Sequence, residues 1–168
     1  MATIAEGNLN FIFEADCQVT KYDEWSFFHN QFQNVCGGAK AVDIVCIKNS
    51  KLWLIEIKDY RQPNTKKVVD LAISLSKKVR DTLAGLVAAQ YNANNQQEKQ
   101  FAKIALQTKK LALVFHIEQP VKASKLFPQA IDPADLKQKL KGYLKAIDAH
   151  PKIINKNTIK NNMPWTVI

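Results

Sequence analysis

Three side chains in residues 40–61, KAVDIVCIKNSKLWLIEIKDYR, are of types that handle cations and phosphate: Asp43, Glu56 and Lys58. The stretch predicts two apolar strands, over 41–48 and 51–58, joined by a polar turn at Asn49-Ser50. A two-residue hairpin loop at that turn pairs Lys48 with Lys51. Continued along the strands, this register sets Asp43 directly across from Glu56 on one face of the sheet. Lys58 projects from the same face. Two carboxylates about 5 Å apart repel by about 3 kcal/mol at an effective dielectric of roughly 20. A divalent cation between them reverses that effect, and Mg²⁺ takes hard oxygen ligands of this kind. Lys58 lowers the repulsion further and is placed to orient or deprotonate a water. A plainer reading fits the same letters, since alternating charges on a hairpin often face solvent. Against it, Ile44, Cys46, Leu54, Ile55 and Ile57 surround the charges, which suits a sheet covered on both faces.

In these residues the chain resembles the PD-(D/E)XK nuclease superfamily, the fold of type II restriction endonucleases and archaeal Holliday-junction resolvases. Asp43 is followed by twelve intervening residues and then Glu56-Ile57-Lys58, while Val42 stands where the family pattern has proline. The block KVRDTLAGL resembles, less distinctly, a bacterial branch of nuclease-like proteins. The resemblance implies an α/β fold with a restriction-endonuclease-like mixed central sheet, an Asp/Glu-x-Lys hairpin and flanking helices. It implies Mg²⁺ (or Mn²⁺) held by Asp43, Glu56 and the backbone carbonyl of Ile57. Relatives often add an acid from a preceding helix, for which Glu24 and Asp23 are the candidates. The function so implied is a metal-dependent nuclease, a hydrolase of phosphodiester bonds in nucleic acid with DNA favoured. Asp43, Glu56 and Lys58 would be its catalytic residues, and a homodimer is a further family habit. The alternative is a non-catalytic nucleic-acid-binding module or interaction subunit on the same fold.

The totals agree with a nucleic-acid partner. At 168 residues and 46% hydrophobic content, the chain reads as one domain over 1–168. Its net charge of +9 is uneven: residues 1–100 hold 12 basic and 11 acidic side chains, whereas 101–168 hold 12 and 4. A basic C-terminal part from about residue 101 suits a polyanion. Three cysteines without metal-ligand spacing (Cys17, Cys36, Cys46) read as reduced thiols, so a cytoplasmic protein is expected. The N-terminal stretch lacks a signal peptide's basic region, and no apolar run approaches the roughly 20 residues that span a bilayer.

The elements that must position the hairpin follow from periodicity. Strand character over 8–13 continues through 17–22. Trp25, Phe28 and Phe32 predict a helix over 25–35 with Asp23 as N-cap and Cys36-Gly37-Gly38 as its end. From 66 to about 91 runs the longest helix, with Val68, Ala72, Leu75, Val79, Leu83 and Leu86 as its apolar stripe. Arg80 borders that stripe toward the acids, while Lys77 and Lys78 are expected in solvent. Asp59 and Arg61, in the loop after Lys58, either touch phosphate and Lys58 or pair with each other. A short helix over 98–107 precedes a buried strand over 111–117, parallel to the one carrying Glu56, with His116 as a core histidine. Asp132 and Pro133 start a helix running to about 149. On it, Lys137, Lys141 and Lys145 form a basic ridge, a phosphate track or simply the wet side. Residues 152–162 read as a loose tail and 165–168 as a small edge strand. Arg61, Arg80, Lys137, Lys141 and Lys145 are therefore the nucleic-acid-binding candidates.

Overall fold

Asn49 and Ser50 both adopt positive φ, 50° and 57°, as a type I′ turn requires. They join β4 (Ile44–Lys48) to β5 (Lys51–Asp59), with Lys48 facing Lys51 and Ile44 facing Ile55. β4 is shorter than expected, so Asp43 lies one residue outside the ladder. In this computed structural model, which describes residues 1–61, 70–120, 131–159 and 162–168, the hairpin is the centre of a mixed sheet. Here β3 (Gln18–Lys21) pairs antiparallel with β4, and β6 (Lys110–Glu118) runs parallel to β5. β7 (Lys152–Ile154) completes the order β3-β4-β5-β6-β7 in parallel with β6.

Side-chain alternation along β5 explains what covers each face. Leu52 and Leu54 pack with Leu75, Val79 and Leu86 of α1 (Leu71–Asn92) and with Leu136, Leu140 and Leu144 of α3 (Pro133–Leu144). α2 (Gln96–Leu106) adds Ala102 and Ala105 to the same layer. Trp53, Ile55 and Ile57 point the other way, onto Leu9, Phe11, Phe13 and Trp165. Those residues belong to β2 (Leu9–Phe13) and β8 (Trp165–Val167), which with β1 (Ala2–Glu6) form an antiparallel three-stranded sheet. The fold is thus mixed α/β, with helices on one face of the five-stranded sheet and a small sheet on the other. A strand covered on both sides needs the near-continuous apolar sequence that β5 has.

Several expectations give way to packing. β1 was not anticipated, and β7 falls in the supposed loose tail, where three residues are held by their ladder to β6 and by the burial of Ile154. The expected helix over 25–35 is instead a 3₁₀ turn (Tyr22–Glu24) followed by a π-helical turn (Phe28–Phe32), in which the Gln33 amide donates to the Phe28 carbonyl at 2.7 Å. A π turn rotates less per residue than an α turn, so adjacent Phe27 and Phe28 bury together beside Trp25 and Phe32. Asp23 consequently caps nothing. α1 starts at Leu71, capped by Asp70 accepting from the Ile73 amide at 3.0 Å; the residues around the expected start at 66 lie outside those described. α3 ends at Leu144, earlier than expected, because Asp148 is drawn to the Leu113 amide of β6 at 2.9 Å.

Candidate functional site

The residues leading into β4 are fixed by α1. The Lys40 amide donates to Asp81 at 2.9 Å and the Val42 amide to the buried Thr82 hydroxyl at 3.0 Å. Asp43 follows, and its Oδ2 accepts from the Ile57 amide of β5 at 2.6 Å. Beyond the ladder's end this carboxylate replaces the missing strand carbonyl. Glu56, 1% exposed, lies on the helix-facing side of β5, and Lys58 Nζ reaches its Oε1 at 2.7 Å. Asp43, Glu56 and Lys58 are therefore brought together.

A fourth residue completes the cluster. Lys78 Nζ lies 2.6 Å from Glu56 Oε1 and 3.4 Å from Asp43 Oδ1. Its ammonium bridges the two carboxylates, where the sequence suggested a divalent cation. This corrects two expectations: Lys78 does not face solvent, and Arg80 does not reach the acids. The Arg80 side chain is 68% exposed and binds Asp81 at 2.9 Å. Lys78 sits between buried Leu75 and Thr82 on α1, at the margin of the stripe, from which a long stem can carry its charge under the helix.

Burial pushes the Glu56 carboxyl up to about 7, and Asp43 adds to the rise while Lys78 and Lys58 oppose it. Burial works against the charge on Lys58, but the Glu56 carboxylate outweighs it and holds that pKa above the lysine range. Burial and then Asp43 push Asp23 up to about 6. Glu24 stands apart, its side chain 65% exposed and paired with Lys21 at 2.7 Å. Of the two extra acids, Asp23 rather than Glu24 feels the site. Ile57 sits in the β5–β6 ladder opposite His116, and its amide is taken by Asp43. Among the described residues no group of three or more His, Cys, Asp or Glu side chains is placed to hold a metal ion. Glu56 Oε2 is buried without a hydrogen-bond partner.

The remaining candidates are dispersed. Arg61 closes a fork on Asp59, at 2.6 and 2.8 Å, with Glu118 4.0 Å away. The partner choice for Arg61 is thus the carboxylate two residues back. His116 is fully buried; its Nε2 lies 2.9 Å from Glu118 Oε1, and burial pushes its pKa down. Lys137 and Lys141 on α3, and Lys145 just past its end, are exposed, off the buried row of Leu136, Leu140 and Leu144. Sequence reasoning missed Lys78; its only signal was a place next to the stripe, which Arg80 also had.

No protein-family model matches the sequence, and no solved structure matches it. Across 99% of its length the chain is 38% identical to part of a cysteine–tRNA ligase from Neisseria meningitidis, and it spans 30% of that protein. This likeness overturns the expectation of a metal-dependent nuclease. The short acid-acid-lysine motif suggested a DNA hydrolase, whereas similarity through nearly the whole chain leads to part of a ligase that acts with tRNA. Within the chain, Lys78 supplies a cation to the acid pair. Among the described residues no helix is long and apolar enough to cross a membrane.

Proposed function

We propose that this chain is a tRNA-synthetase-related domain that binds tRNA through its phosphate backbone. The observation that carries this reading is the 38% identity, over 99% of the chain, to part of a cysteine–tRNA ligase. Ligation itself is not assigned to the domain, since it corresponds to only 30% of that relative. A net charge of +9 supports a polyanionic partner, and the exposed lysines of α3 offer one place to meet it. A cytoplasmic setting follows from the same reading. Fluorescence anisotropy with labelled tRNA and with duplex DNA, over a range of salt, is the test. Tighter binding to tRNA, weakening as salt rises, is expected; equal affinity for DNA or no binding overturns the proposal. Light scattering on the free chain tests the homodimer.

Under this proposal the core keeps a restriction-endonuclease-like arrangement as a binding scaffold. A second reading concerns the acid pair. The orphaned Glu56 Oε2 favours a seat for Mg²⁺ or Mn²⁺, held with Asp43 and the Ile57 carbonyl, once Lys78 moves aside. Two carboxylates suffice for Mg²⁺, which keeps several of its waters. Bound there, the ion would supply positive charge for phosphate oxygens. Mn²⁺ should raise the melting temperature of wild type but not of Asp43→Asn. An equal rise in both would place the ion elsewhere.

A further inference from the structure

Toward the hairpin end of the sheet, away from Glu56, lysines from two strands approach one indole and a third stands beside them. Lys51 Nζ lies 3.8 Å from the centre of the Trp53 ring, and Lys152 Nζ lies 5.3 Å from it. Lys110 stands beside Lys51 in the β5–β6 register. Among the described residues the ion pairs in this corner involve Lys48, held by Glu14 and Asp16, and not Lys51, Lys110 or Lys152. Asp148, the acid that favours charge on Lys51, already accepts from the amides of Leu113 and His150. Burial, and then Lys152, lower the Lys51 pKa. A cavity of about 430 Å³ opens beside Lys51, lined by Lys48, Lys51, Trp53 and Lys110 and by Glu14, whose carboxylate is held by Lys48; Lys152 stands at the indole, outside that lining.

Lysines at a sheet margin commonly serve to block strand addition. That role needs charges along an edge strand. Here they sit at the starts of three neighbouring strands, β5 and β6 inside the sheet and β7 at its margin. Their ammonium groups repel one another, and an anion between them removes the repulsion. The indole beneath holds two of the cations in place without neutralising them.

We propose that Lys51, Lys110 and Lys152 form a phosphate-binding site for an RNA backbone, with Trp53 as its floor. The inference rests on the tRNA-binding reading for the identity of the polymer, but not for the phosphate chemistry. The site reads no bases; it sets the register of the backbone.

The test has two arms, both on the full chain. In the first, inorganic pyrophosphate is titrated while NMR follows the Trp53 indole Nε1–H, assigned with Trp53→Phe. A saturable shift is expected, weakened at least tenfold in Lys51→Gln/Lys110→Gln/Lys152→Gln and retained in the triple Arg variant. Lys103→Gln, on the exposed side of α2, should leave it unchanged. In the second arm, tRNA affinity is measured against salt. The Gln triple variant should lower the slope of log K on log salt by about one for each lysine removed. An indole that ignores pyrophosphate, or a Gln triple variant with wild-type affinity and slope, overturns the site. Pyrophosphate binding without tRNA binding would leave the phosphate site standing and overturn the tRNA reading.

Discussion

Lys78 on α1 and Glu56 on β5 meet with 2.6 Å between Nζ and Oε1, so a cation from the helix above joins Lys58 at the buried acids. The contact joins the two largest layers of the fold at one charged point. It accounts for a glutamate only 1% exposed in a strand that otherwise packs like a core.

Removing one partner of a buried ion pair leaves an uncompensated charge, which typically costs about 3–5 kcal/mol. Lys78→Met is expected to lower stability by about that much, less whatever Lys58 still neutralises. Glu56→Gln in the same chain should restore most of the loss. Urea unfolding of the wild type, both single variants and the double variant measures this coupling. Additive losses would mean that the two side chains do not depend on each other.

Stability should fall as pH rises from about 5 to about 8. Glu56 titrates at about 7 in the folded chain against an ordinary 4.5, so the folded chain binds this proton more tightly. Its contribution is complete below about 4.5 and lost as pH rises through about 7. At most it amounts to about 3 kcal/mol. Asp23, at about 6, acts in the same direction. Glu56→Gln should flatten most of the slope of the urea midpoint against pH, leaving the share of Asp23 and the opposing share of buried His116, whose lowered pKa makes stability rise with pH up to about 6.5. A midpoint that climbs with pH would show that the lysines outweigh burial.

Gly85→Ala should destabilise by about 1–3 kcal/mol, since its methyl group would collide with the Tyr22 hydroxyl and press on Phe32 at 3.3 Å. Tyr22 is fully buried and its hydroxyl has no hydrogen-bond partner. Tyr22→Phe alone is therefore expected to be neutral or slightly stabilising, and it should soften the Gly85→Ala loss. Thermal melts of the three variants decide the matter.

Glu98→Ala should lower stability by about 1–3 kcal/mol, read by urea unfolding. The Glu98 carboxylate, on α2, accepts from the Ser26 amide at 2.8 Å and the Phe27 amide at 2.9 Å. These donors start the aromatic turn that covers the helix-side core. Glu98→Gln keeps an acceptor and should lose less; equal losses would reduce the role of Glu98 to bulk.

Local chemistry was legible in the letters. Asn49-Ser50 tolerates left-handed backbone, and a period of two then carries Asp43, Glu56 and Lys58 to one face with no help from the rest of the fold. Asp132-Pro133 marked the start of α3 for the same kind of reason, since a cap and its proline act within one turn. Function was less legible. Two acids and a lysine have the same spacing whether a metal ion or a lysine from another element lies between them. Likeness along nearly the whole chain, which no short motif holds, corrected the hydrolase reading.

The amino-acid sequence by itself determined the hairpin, its register and the basic excess of the second half, because each depends on neighbours a few residues apart or on composition. Only the tertiary structure decided that Lys78 rather than Arg80 bridges the acids. The rotation of α1 about its axis is set by packing against the sheet. It also decided that residues 152–154 form a strand, since an existing β6 edge supplies their hydrogen bonds. The approach of Lys51 and Lys152 to Trp53, with Lys110 beside Lys51, belongs to the same class, for strands far apart in the chain become neighbours only once the sheet has closed.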